Sequence, residues 1–236
     1  MTDTIISKDC IKRILKDLSN LDSKLLEQNN IYYSHDEDNI LKGYIMIIGP
    51  KDTLYENGYY FFHINFTTSY PFKPPKVIFK TCDGVTRFHP NLYRNGKVCL
   101  SILNTWRGES WSACQTLSTI LMTLVTLFTN EPFLNEPGIK NTHHQYENYH
   151  NIIHYKNIYH SILHYIDPIN LPINYEIFYP IICENFKKNK KRILEICENK
   201  MKTNKINSVY HVNLYNMVSS INYTELHNKI SDKEIE

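Results

Sequence analysis

Phe88-His89-Pro90-Asn91-Leu92-Tyr93-Arg94-Asn95-Gly96-Lys97-Val98-Cys99-Leu100-Ser101-Ile102-Leu103 joins a proline-fixed turn, an amide-bearing Asn, a second turn marked by Gly96 and a cysteine at the edge of an apolar run. A cysteine that performs acyl chemistry needs an accessible thiol and a nearby dipole to steady negative charge on the acyl oxygen. Asn91 and Cys99 are eight residues apart, close enough for one looped segment to bring the amide over the sulfur. A lone Cys before Leu-Ser-Ile-Leu would ordinarily be a small buried hydrophobe, so the weight falls on the whole string.

Upstream lies Tyr70-Pro71-Phe72-Lys73-Pro74-Pro75-Lys76, and downstream come Trp106 and Trp111. With His-Pro-Asn and the cysteine, this pattern resembles the ubiquitin-conjugating enzymes. The resemblance implies an α+β architecture, the UBC fold: an N-terminal helix, a four-stranded antiparallel meander, a central helix and C-terminal helices, here followed by a helical extension. It divides the chain into a catalytic core over 5–166 and an extension over 167–236. The linker Thr81 to Arg87 and the later Asn135-Glu136-Pro137-Gly138 resemble the large subgroup that includes ubiquitin-conjugating enzyme Z.

The pattern of apolar residues fits this layout. Ile11, Ile14, Leu15, Leu18 and Leu25 predict an amphipathic helix from Lys8 to Glu27 with Ser7 as N-cap. Strands are predicted at Ile31 to Tyr33, Leu41 to Ile48, Tyr59 to Phe66 and Val77 to Lys80, with Gly49-Pro50 and Asn57-Gly58 as turns. No helix intervenes, so the strands read as a meander. The prolines at 71, 74 and 75 stiffen the loop before the fourth strand, and the aromatic-Pro step predicts a cis Tyr70–Pro71 bond. Ser112-Ala113-Cys114-Gln115 reads as a capping box opening a helix with Leu117, Ile120, Leu121, Leu124, Val125 and Phe128 on its apolar face, which Asn130-Glu131-Pro132 ends. Stripes from Ile152 to Ile166 and from Phe178 to Cys197 read as helices, with a polar break at Thr203-Asn204-Lys205 and weaker signals beyond Val209.

By resemblance Cys99 accepts ubiquitin or a ubiquitin-like protein as a thioester from an activating enzyme and passes it to lysine, with or without a ligase. Asn91 supports the oxyanion or braces the loop, and His89 serves the turn rather than the thiol. Many members carry Asp two residues after the cysteine, where this chain has Ser101; Glu136 falls where others place an acidic gate. Phe72, Pro71, Trp111, Ser112 and Ala113 correspond to the ligase-binding loops, although Cys114 and a missing proline depart from Trp-Ser-Pro-Ala. Lys8, Lys12, Arg13 and Lys16 correspond to the face that docks the activating enzyme. A catalytically inactive ubiquitin-binding scaffold of the same fold is the alternative; a cysteine hydrolase would need a Cys-His pair.

Composition narrows the classes. The chain has 236 residues, 42% hydrophobic and 21% charged, with formal net charge +2, so no dominant basic field points to nucleic acid. No apolar run reaches transmembrane length, and Met1-Thr2-Asp3-Thr4 lacks a signal peptide's order, so no membrane partner is expected. Six scattered cysteines without a C-x-x-C pair suit a reducing intracellular compartment, cytoplasmic or nuclear. No cofactor is expected: seven glycines form no phosphate-binding loop, and ATP is consumed by the activating enzyme. His150/His154 and His160/His164 form two i, i+4 pairs, but ten residues between pairs turn a helix by about 280°, so no metal site is expected.

Overall fold

The computed structural model describes residues 6–203 and 207–235. Met1-Thr2-Asp3-Thr4, the first residue of the expected core, Asn204-Lys205 of the expected polar break and Glu236 lie outside the described residues.

The single helix expected from Lys8 to Glu27 is two helices. Helix α1 spans Lys8–Ser19, with the Ser7 hydroxyl accepting from Cys10 N at 3.1 Å, and α2 spans Ser23–Gln28. Asn20 and Asp22 cause the break, because short polar side chains favour caps over helix interiors. Asp22 caps α2 by accepting from Leu25 N at 3.0 Å.

Strands β1 (Ile31–His35), β2 (Lys42–Ile48), β3 (Tyr59–Asn65) and β4 (Lys76–Phe79) pair antiparallel in the order β1-β2-β3-β4. The meander is as expected. Period-two alternation sends Ile45, Ile47, Tyr60, Phe62 and Ile64 to one face and Tyr44, Met46, Ile48, Tyr59 and Phe61 to the other, and both faces are buried.

Helix α3 (Leu117–Val125) lays Leu117, Ile120, Leu121 and Leu124 in the core on the first face. The cap differs from the expected Ser112: Thr116 is the N-cap and forms the capping box with Thr119. Ser112 and Gln115 instead close a turn, Gln115 N donating to Ser112 O at 3.0 Å. Phe128 lies beyond the helix end but remains buried, its ring 4.5 Å from that of Tyr60.

Helix α4 (Tyr146–Lys156) gives Tyr149, Ile152 and Ile153 to the first cluster and Tyr155 to the second, and the second face is covered by its π-helical continuation over Asn157–His164 and by α5 (Tyr179–Thr203). Tyr175 packs edge-on to Tyr44 and Phe61, and the Tyr59 hydroxyl donates to Ile182 O at 3.1 Å. The extension is not all helical. Beyond α5, β5 (Ser208–Val212) and β6 (Met217–Ile221) form a hairpin, followed by α6 (Tyr223–Ser231). Residues 217–221 alternate buried and exposed, and Asn216 takes a positive φ of 50° at the turn; the period is that of a strand, not a helix. The tail is docked: α6 buries Tyr223, Leu226 and Ile230, and Lys190 caps it by donating to Ser231 O and Lys233 O. The 166/167 boundary therefore cuts through one hydrophobic cluster, and the extension is a further layer on the same sheet. No helix among the described residues is long and apolar enough to cross a membrane.

Candidate active site

The turn before the cysteine hangs from the core. Phe88 is fully buried, and its carbonyl accepts from the Tyr55 hydroxyl at 2.7 Å and the Tyr149 hydroxyl at 3.2 Å. Asp83 fixes the linker by accepting from Thr86 N and Thr86 Oγ1, each at 2.7 Å, and pairs with Lys156 at 3.1 Å. Burial alone would raise its carboxyl, but the Thr86 hydrogen bonds and Lys156 outweigh that and hold it at about 2.

His89 is buried completely, and its Nδ1 accepts from Asn91 N at 3.0 Å. With Nδ1 accepting, the neutral ring carries its proton on Nε2, which has no partner among the described residues. Burial, aided by Arg87, pushes the imidazole down to about 3. It is neutral at physiological pH, and its Nδ1 is already committed to the turn.

Asn91 and Cys99 exchange hydrogen bonds. Cys99 N donates to Asn91 O at 2.9 Å, and Asn91 Nδ2 donates to Cys99 O at 2.6 Å. The amide thus braces the backbone of the cysteine. A primary amide has two N–H donors, so one remains for another acceptor. Between the two residues the chain is pinned to the sheet edge, Phe79 N donating to Gly96 O at 2.8 Å. Gly96 has φ +85°, and a Cβ there would lie 3.0 Å from Phe79 O, so a side chain would force the strand and loop apart. After the cysteine, Ser101 opens a short 3-10 turn, Ser101–Leu103, and the Thr105 hydroxyl donates to Val98 O at 2.7 Å and accepts from Leu100 N at 2.9 Å.

Cys99 itself is only 1% exposed. This differs from the accessible thiol expected, and follows from its position between the buried Val98 and Leu100 in a closed loop. Residues 104–110, which flank it, are exposed. Cys114 is exposed on the next turn. Iodoacetamide is therefore expected to label Cys114 well before Cys99 in the folded protein, as read by peptide mass spectrometry at early times; equal rates would show that the Cys99 thiol is accessible most of the time and contradict the buried position.

The loop residues expected to bind a ligase lie together. Trp111 Nε1 donates to Pro71 O at 2.6 Å, the Tyr70–Pro71 bond is cis, and Phe72 stands 79% exposed beside them. Ser112 is exposed and Ala113 half-buried. Among the basic residues of α1, Lys8, Lys12 and Lys16 are exposed, but Arg13 is not free. It pairs with Asp17 at 3.0 Å, donates to Ala113 O and Gln115 O, and lies over the Tyr70 ring. Asp17, 3% exposed, also accepts from the Tyr70 hydroxyl. Arg13 joins α1 to both loops, a role that its place among surface lysines concealed.

Glu136 follows the 3-10 turn Pro132–Asn135 and accepts from the Tyr215 hydroxyl at 2.5 Å. Tyr215 comes from the turn between β5 and β6, and nothing in the local sequence marks that pairing. Arg87 was also missed: its guanidinium lies 3.3 Å from the Tyr93 ring centroid and donates to His89 O and Pro90 O. The four histidines of the i, i+4 pairs are dispersed: His150 contacts Tyr146 O, His154 bonds the Tyr223 hydroxyl, and His160 stacks between Phe88 and His164.

The family model described as ubiquitin-conjugating enzyme matches residues 13–161. The chain belongs to the ubiquitin-conjugating enzyme family. Its architecture is the UBC fold, and it lies close to the E2 Z group. It is 37% identical over 155 residues to ubiquitin-conjugating enzyme E2 Z of Xenopus tropicalis, covering 64% of this chain and 49% of that protein. Against E2 Z of Homo sapiens it is 37% identical over 152 residues, 63% of this chain and 42% of that protein. Against the probable ubiquitin-conjugating enzyme protein 17 of Caenorhabditis elegans it is 43% identical over 140 residues, 56% of this chain and 19% of that protein. The matches thus span about half or less of these relatives' lengths.

Proposed function

We propose that this chain carries ubiquitin or a ubiquitin-like protein as a thioester on Cys99 and transfers it to lysine. The observation that carries the reading is the reciprocal hydrogen-bonded pair of Asn91 and Cys99, set at the end of the His-Pro-Asn turn in a chain of this family. In charging, Cys99 Sγ attacks the carbonyl of the activating enzyme's thioester; a new C–S bond forms and the old one breaks, so no cofactor and no ATP site are needed here. In transfer, a lysine amine attacks the same carbonyl. The second N–H of Asn91 supports the oxyanion, and the Glu136 carboxylate takes a proton from the incoming ammonium to give the amine that attacks. Ser101 supplies a hydroxyl where many relatives have a carboxylate, which leaves the acidic role to Glu136.

Because Cys99 is covered, attack requires the loop that holds it to open. Lys8, Lys12 and Lys16 form the surface for the activating enzyme, and Phe72, Pro71, Trp111, Ser112 and Ala113 the surface for a ligase. A carrier with free thiols belongs in a reducing intracellular compartment, cytoplasmic or nuclear. The hydrolase alternative has little support, since His89 is buried, neutral and bonded to Asn91 N. An inactive ubiquitin-binding scaffold would retain the fold without charging. The test is to supply modifier, ATP and an activating enzyme, then free lysine: charging that requires ATP and is discharged by lysine supports the carrier, and no charging with any modifier supports the scaffold.

A further inference from the structure

The turn of the C-terminal hairpin packs on Glu136 and on the arginines before and within the segment that leads to Cys99. From Tyr215 alone, the hydroxyl donates to Glu136 Oε2 at 2.5 Å, the carbonyl accepts from the Arg94 guanidinium, and the ring lies 5.3 Å from the Arg87 guanidinium. Arg87 in turn holds the carbonyls of His89 and Pro90, and Arg94 lies between Asn91 and Cys99. The ring also packs against Phe133 and Tyr149, at 5.9 and 5.8 Å. The hairpin is itself held: Leu214 N donates to Gln145 Oε1 and Asn148 Nδ2 to His211 O, while Arg87 N donates to the Met217 sulfur. One residue of the extension thus ties together the Glu136 segment, the His-Pro-Asn turn and the loop that leads to the cysteine. Without it, Glu136 follows a short 3-10 turn among exposed neighbours and would sample several rotamers. The hydroxyl–carboxylate bond is charge-assisted and directional, and it fixes which carboxylate oxygen stays free.

We propose that Tyr215 is a positioning residue for transfer, holding the Glu136 carboxylate in the orientation that receives a proton from the attacking lysine. The inference rests on the assignment of Cys99 as carrier and Glu136 as acidic gate. In the step concerned, the lysine N–C bond forms and the thioester C–S bond breaks, its electron pair going to Cys99 Sγ. Of the ammonium's three protons, one stays on the amide nitrogen, one passes to Glu136 and on to solvent, and one ends on the thiolate or in solvent. The extension is thereby part of the transfer machinery as well as a cover for the sheet.

The test uses the full chain charged on Cys99, with discharge to free lysine scored per molecule charged. Tyr215→Phe removes one oxygen and keeps the ring, and its melting temperature is measured alongside. At pH 7.5 discharge is expected to fall about tenfold, the scale of one lost charge-assisted hydrogen bond. The deficit should shrink to under about threefold near pH 9.5, where lysine, with a pKa of about 10.4, is increasingly deprotonated before it arrives. Glu136→Gln should slow discharge as well, and Tyr215→Phe should add nothing in that background. A wild-type rate for Tyr215→Phe, a deficit equal at both pH values, or additive effects in the double variant would each overturn the positioning role while leaving the carrier reading intact. Failure of the wild type to charge would overturn the carrier reading itself. Should Tyr215→Phe not fold, Glu136→Gln, which leaves the tyrosine an acceptor, reads the same step: an unchanged discharge rate there would overturn the proposal.

Discussion

A chain ended after Ile166 is expected to lose cooperative folding altogether. The expectation comes from the second face of the sheet. Tyr44, Met46, Ile48, Tyr59 and Phe61 share one cluster with Tyr175, Phe178, Ile182 and Phe186 of the extension, and Tyr59 and Tyr44 also hydrogen-bond to Ile182 and Asn174. Helix α4 and its π-helical continuation remain after the cut and cover part of this face, so the loss is partial. Even so, uncovering four of these five sheet side chains at about 2 kcal/mol each removes roughly 8 kcal/mol, which matches the whole stability of an ordinary domain, about 5–15 kcal/mol. The truncated chain should aggregate or bind an apolar dye without a sharp melt. A soluble product melting within a few degrees of the full chain would show that 167–236 is a separable unit.

The second large effect is at Asn91. Replacing it with Ala removes the donor to Cys99 O at 2.6 Å and the N–H left over for the oxyanion. Loss of an oxyanion donor slows acyl transfer by about 100- to 1,000-fold, whereas an unbraced carbonyl costs stability, about 1–3 kcal/mol. Asn91→Ala should therefore show both a lower melting temperature and a discharge rate reduced at least about 100-fold. A lower melting temperature with discharge near wild type would assign the amide to bracing alone. His89 provides the contrast: with its Nδ1 on Asn91 N and the ring held neutral by burial, its removal acts through the turn.

Much of this was legible in the sequence because local chemistry decides it. The four strands, Ser7 as a cap, the cis Tyr70–Pro71 bond and the apolar stripe of α3 follow from periodicity and proline chemistry over a few residues. The misread elements share a cause. Two polar residues, Asn20 and Asp22, were too weak a mark to split a helix whose apolar spacing continues across them, and Thr116-Thr119 competed with Ser112-Gln115 for the same cap. Beyond Val209 the apolar signals are weak and the extension reads as helical as a whole, although Met217, Ser219 and Ile221 alternate as a buried strand row with Val212 paired across to Met217. The covered second face had a signal that was available: 44–48 and 59–62 contain no charged residue, as in strands buried on both sides. The Arg13–Asp17 pair at i, i+4 was legible, but the bond from Arg13 to Ala113 O and that from Tyr215 to Glu136 were not, since those partners lie 100 and 79 residues away in the chain.

The central claim is that Cys99 alone carries the modifier, and a thioester assay tests it most directly. Wild type and Cys99→Ala are incubated with ubiquitin or a ubiquitin-like protein, ATP and each activating enzyme in turn, then separated on a non-reducing gel. The predicted result is a single adduct in the wild type, cleaved by thiol reductant and absent from Cys99→Ala. An adduct that persists in Cys99→Ala, or none with any modifier and activating enzyme, would contradict it.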